Sequence, residues 1–179
     1  MVFNLISQLI FGSLLEQMVG FKQMACLYIV SGIGGNLLSS MINDECSVGA
    51  STAVFGVLTG QVAMVLVNWN AFSSPQLKQV RCMMIAFVIV MLVINFITDL
   101  GQVGVVDIWG HIGGAIAGFL YGVGFFPREI SDSSHKIKVL GMSLTAMYFT
   151  IIPILFFLTR RPKDPYWGTY GPDDDDLGN

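Results

Sequence analysis

The stretch Ser47-Val48-Gly49-Ala50-Ser51-Thr52-Ala53-Val54-Phe55-Gly56 places a small-residue turn and a serine at the mouth of an otherwise apolar helix. The apolar run continues to about residue 69, roughly the 20 residues that a helix needs to cross the hydrocarbon core of a bilayer. Ser51 is therefore read as a candidate nucleophile at the start of a membrane span. A second stretch, Asp107-Ile108-Trp109-Gly110-His111-Ile112-Gly113-Gly114, puts one of the 2 histidines at the head of another apolar helix. Ser51 and His111 are expected to be partners.

Composition agrees with a membrane setting. Of 179 residues, 54% are hydrophobic and 12% charged, and mean hydropathy is +0.68; soluble domains carry about 25% charged residues. Apolar runs predict spans at about 2–19, 23–42, 49–69, 80–98, 106–126 and 138–159,. The expected fold is all-α, a polytopic membrane bundle of about six transmembrane helices occupying 1–159, followed by an acidic, disordered tail at 160–179. Met1 opens the first span without the n-region and short h-region of a signal peptide. The net charge of −3 comes largely from Asp173 to Asp176, and no basic patch suggests a nucleic-acid partner. Cys26, Cys46 and Cys82 form no CxxC and support neither a disulfide framework nor a zinc site.

Lys22, Lys78, Arg81, Arg128, Lys136 and Lys138 lie in or beside alternate loops, which the positive-inside rule assigns to the cytosolic side,. Arg160, Arg161 and Lys163 depart from it, carried outward by an odd final helix. The third and fifth spans then both run inward, with Ser51 and His111 near their starts. At about 1.5 Å of rise per residue, the two side chains share a shallow depth at the outer face.

In lipid, helices associate where small residues let backbones approach. Gly110, Gly114, Gly118 and Gly122 stack on one face of the histidine helix, and Gly56, Gly60, Thr52 and Ala53 are expected to answer from the serine helix. Phe55, one turn after Ser51, is placed to stack on the imidazole or to pack in the core or against lipid. The run Ser31-Gly32-Ile33-Gly34-Gly35 superficially suggests a nucleotide loop, but its mid-span position favours packing.

A lone serine at a helix start ordinarily caps it, and a lone membrane histidine ordinarily bonds a carbonyl. Together they make the minimum for acyl transfer, a nucleophile with a base, and ionisable residues inside membranes default to functional roles. Other protease chemistries fail the inventory: there is no HExxH, no suitable aspartate pair, and no Cys-His arrangement at matching depth.

Gly49-Ala50-Ser51 followed by His111-Ile112-Gly113-Gly114-Ala115-Ile116-Ala117-Gly118 resembles the GxS and HxxGxxxG motifs of rhomboid intramembrane serine proteases. The resemblance extends to Phe3-Asn4, Gly12 to Glu16 and Tyr28 to Asn36, and so reaches about Gly124. It implies a Ser-His dyad without a third acidic residue, with Ser51 as nucleophile and His111 as base and later acid. It also implies an oxyanion hole from the Asn4 amide and the Ser51 N–H, with Gly49, Phe55, Gly114 and Gly118 in support. Asn4 otherwise reads as an interhelical hydrogen-bonding residue. Thr52 stands where the family often has glycine, and Gly110 where alanine is common. The histidine of the HxxxN motif would fall immediately before Met1, so the resemblance suggests an N-terminally truncated chain. The helix at 138–159 resembles the extra seventh span of many eukaryotic secretory-pathway rhomboids.

The expected function is an intramembrane serine endopeptidase cleaving transmembrane protein substrates within the lipid bilayer, without metal, cofactor or nucleic acid. The expected setting is the secretory pathway or plasma membrane rather than the mitochondrion. An inactive rhomboid-like protein that binds client helices is the alternative, disfavoured because Ser51, His111 and Asn4 are all present. A small channel or transporter subunit would explain the glycines but not the paired serine and histidine.

Overall fold

The computed structural model describes residues 2–42, 50–71, 73–100, 107–127 and 132–159. Every regular element among them is helical: α1 (Val2–Ser7), a π-helical turn (Gln8–Gly12), α2 (Ser13–Val19), α3 (Phe21–Ile42), α4 (Ser51–Val67), α5 (Pro75–Leu100), α6 (Ile108–Phe125) and α7 (Asp132–Thr159). The first expected span is thus helical from Val2 to Val19. The other five correspond to α3 to α7, with ends shifted by up to six residues, the expected 138–159 opening at Asp132. The expected tail at 160–179 lies outside the described residues.

Local chemistry explains the breaks. Gly20 separates α2 from α3 at φ 85° and ψ 157°, a backbone region that essentially only glycine enters. Pro75 opens α5, where its fixed φ suits a first helical turn and its missing N–H costs no helical bond,. The π turn disturbs the regular backbone ladder, and Gln61, buried in α4, donates its side-chain amide to the Phe11 carbonyl at 2.8 Å. In a bilayer such a carbonyl has no water to turn to.

Among the described residues, three helices are long and apolar enough to cross a membrane, Phe21–Ile42, Ile108–Phe125 and His135–Thr159, while Leu5–Val19, Ser51–Val67 and Arg81–Val90 are shorter apolar segments. The chain is an integral membrane protein. Large side chains such as Phe21 and Phe157 are 72% and 78% exposed, suited to lipid rather than water. The short α4 has a simple cause: nearly all of Thr52 to Val65 is buried among neighbouring helices, so protein rather than hydrocarbon sets its environment.

Helix α6 packs against α3, α4 and α7. Gly114 lies against the Thr52 backbone, and a Cβ on Gly122 would fall 2.6 Å from the Ala63 Cβ, so the expected seam between α4 and α6 is present. Gly60 is not part of it; a Cβ there would meet Leu27 of α3 at 2.9 Å. Gly34 and Gly35 let α3 approach the same helices, with a Cβ on Gly34 only 2.5 Å from the Ala117 Cβ. The small-residue run of α3 is therefore a packing surface. Helix α7 joins through Gly141, where a Cβ would sit 2.6 Å from the Gly124 nitrogen, and through Tyr148, whose hydroxyl donates to the Gly34 carbonyl at 2.9 Å.

Candidate active site

Ser51 is the first residue of α4 and His111 the fourth of α6, so each side chain leaves its helix within the first turn. The seam draws the two starts together, and Ser51 Oγ lies 2.8 Å from His111 Nε2, within hydrogen-bond range,. His111 is 6% exposed and Ser51 half-buried, which leaves the hydroxyl as the more accessible member of the pair.

Phe55 and His111 stack face to face, with ring centroids 4.3 Å apart and planes 10° from parallel. The imidazole therefore has one face fixed by an aromatic ring. Asp107 caps α6, its Oδ1 accepting from the Gly110 N–H at 2.9 Å. That satisfies a donor that the first helical turn leaves without a helical partner, and it places carboxylate charge at the positive end of the helix dipole.

Beside the Ser51–His111 pair, on the side of α5, lies an apolar cavity of about 320 Å³ lined by Phe55, Leu92, Val93, Ile108, His111, Ile112 and Ala115. The structure thus brings together Ser51, His111 and Phe55, with Gly114 and Gly118 holding the helices beneath them. Asn4 lies in α1 with its side chain outside the described set, and Gly49 lies outside the described residues. Sequence reasoning missed the cap; the signal was Asp107 three residues before Gly110 at the start of an apolar run. It also missed the cavity, whose walls come from three helices distant in sequence. Among the described residues, no three His, Cys, Asp or Glu side chains gather as metal ligands would.

Residues 1–128 match the Rhomboid domain family. The chain is 35% identical over 155 residues to "Rhomboid-like protease 3" of Toxoplasma gondii, covering 86% of this chain and 56% of that protein. It is 34% identical over 123 residues to "RHOMBOID-like protein 4" of Arabidopsis thaliana, covering 68% of this chain and 29% of that one. The same identity and length relate it to "RHOMBOID-like protein 6, mitochondrial" of Arabidopsis thaliana, with 68% of this chain and 38% of that one covered. The matched region thus spans between 29% and 56% of these relatives' own lengths.

Proposed function

The chain belongs to the rhomboid family, and from that premise we propose that it is an intramembrane serine endopeptidase acting on transmembrane protein substrates through Ser51 and His111. The observation that carries this reading is the 2.8 Å approach of Ser51 Oγ to His111 Nε2 with the imidazole stacked on Phe55. A nucleophile, a base in reach and a group that orients the base are the parts nucleophilic catalysis requires.

The chemistry follows from those positions. With the imidazole neutral and Nε2 unprotonated, the Ser51 hydroxyl donates to it and passes its proton there as Oγ attacks the scissile carbonyl. The oxygen that becomes negative is received by the Ser51 N–H, at the start of α4, and by the Asn4 amide. Each such donor contributes about 2.7–4 kcal/mol to the transition state in serine proteases. The imidazolium then protonates the leaving amine as the C–N bond breaks, which leaves an acyl-Ser51. Water, deprotonated by His111, hydrolyses the ester and restores the hydroxyl.

The presence of α7 after the histidine helix, which resembles the extra C-terminal span of many eukaryotic secretory-pathway rhomboids, supports a place in the secretory pathway or plasma membrane. A tagged chain seen in mitochondria by microscopy would overturn that assignment. The activity itself is tested in proteoliposomes with a single-span substrate. Cleavage by the wild-type chain that is lost in Ser51→Ala and in His111→Ala supports the reading. Cleavage that persists in Ser51→Ala contradicts it, and binding of the helix without cleavage favours an inactive client-binding protein.

A further inference from the structure

Thr59 lies in α4, one turn after Phe55, and Ala115 lies in α6, one turn after His111. The Thr59 hydroxyl is 2.7 Å from the Ala115 carbonyl oxygen, 3.1 Å from that of Phe55 and 3.2 Å from that of Gly56. A hydroxyl has one proton to give. The two contacts within α4 are to the i−4 and i−3 carbonyls that a helical threonine hydroxyl commonly lies beside, whereas 2.7 Å is the ordinary length of a good O–H···O bond. The proton therefore goes across to α6.

This bond has a job that the glycine seam cannot do. Gly114 and Gly118 let α6 approach the backbone of Thr52 and Gly56, a fit of shapes that carries no directional bond. A slide of α6 along its axis by the rise of one residue would move His111 about 1.5 Å, a large displacement for a hydrogen bond of 2.8 Å. The stack of Phe55 on His111 and the bond of Thr59 to Ala115 are successive rungs between the same two helices. The upper rung fixes the face of the imidazole, while the lower one is a directional bond between the two helices.

We infer that Thr59 is a positioning residue: its hydroxyl, donated to the Ala115 carbonyl, fixes the register of α6 on α4 and so holds His111 Nε2 on Ser51 Oγ. The inference rests on the reading of Ser51 and His111 as a catalytic pair. Thr59 touches no reacting atom; it acts through the helix that carries the base.

The test compares Thr59→Val, which keeps the shape and loses the donor, with Thr59→Ser, which keeps the donor and loses the methyl. A fluorophosphonate probe gives a rate constant and a final amplitude for each full-length protein in one detergent. A loss of folded protein lowers the amplitude, whereas a displaced base lowers the rate constant. Thr59→Val should keep its amplitude and label about 10²-fold more slowly, the scale of a 1 Å misplacement, and Thr59→Ser should return close to the wild-type rate. An unchanged rate constant in Thr59→Val, or a Thr59→Ser protein as slow as Thr59→Val, would overturn the inference. Should Thr59→Val fail to fold, Thr59→Ala is read against Thr59→Ser by the same two criteria.

A second readout needs no chemistry. The chain has 2 histidines, and the ring current of the stacked Phe55 distinguishes His111 from the other in imidazole proton spectra. That resonance should move in Thr59→Val and return in Thr59→Ser. If the wild type takes up no probe, the catalytic reading fails by itself, and an unmoved His111 resonance in Thr59→Val separately overturns the positioning role.

Discussion

Gly118 of α6 lies so close to Gly56 of α4 that a Cβ added to Gly118 would sit 2.5 Å from the Gly56 Cα. No side-chain motion relieves such a contact, because the obstructing atom is backbone. Gly118→Ala should lower thermal stability by an amount typical of overpacking, about 1–3 kcal/mol, and Gly118→Leu by more. Gly32 supplies the control: among the described residues a Cβ there meets only the Ala53 Cβ, at 3.8 Å, so Gly32→Ala should be neutral or stabilising by up to about 1 kcal/mol. Detergent melting curves of the two alanine variants check this, and equal shifts in both would remove the seam from the account.

The imidazole is held by a ring rather than by chain geometry alone. Replacing Phe55, which is 7% exposed, by leucine should remove the stack while filling much of the space. An aromatic pair contributes about 0.5–1.5 kcal/mol beyond its burial, so probe labelling of Ser51 should slow by roughly two- to tenfold. Phe55→Tyr keeps the ring and should lose less. Labelling as fast in Phe55→Leu as in the wild type would show that the stack does not orient the base.

Asp107 anchors the start of the helix that carries His111. Asp107→Ala should cost about 0.5–2 kcal/mol of stability, whereas Asp107→Asn keeps a good cap and should cost little. Melting temperatures decide between them. A wild-type value for Asp107→Ala would mean that the 2.9 Å bond to the Gly110 N–H contributes nothing measurable.

Charge placement in the sequence assigns the Ser51 end of α4 to the non-cytosolic side. Cys46, a few residues before Ser51, should then react with a membrane-impermeant thiol reagent added outside intact cells. Cys82, beside Arg81 near the cytosolic start of α5, should not react from that side. Reaction of Cys46 only from the cytosolic side would invert the topology.

The order of spans was legible because hydropathy needs only local sequence, and the glycine seam because a four-residue spacing marks one helical face. The partner of each small residue was less legible. Helix α4 is apolar all round, with Thr52 to Phe55 and Val57, Leu58 and Ala63 all buried, so no polar face tells which side meets which neighbour. Gly60 turns out to face Leu27, and Gly34 and Gly35 carry α3 into the same centre. The same limit hid the cavity beside His111, which depends on where α5 lies. Ser51 and His111 were legible for another reason: polar groups in a membrane are few, and equal depth on two helices leaves little choice of partner.

The central claim is that Ser51 is a nucleophile activated by His111, and the most direct measurement is mass spectrometry of the folded protein after reaction with a fluorophosphonate. The account predicts one adduct, on the peptide containing Ser51, absent in Ser51→Ala and lost or strongly slowed in His111→Ala, since nucleophile and base act as a unit. An adduct that persists in Ser51→Ala, or a folded wild-type chain that takes up none, would contradict it.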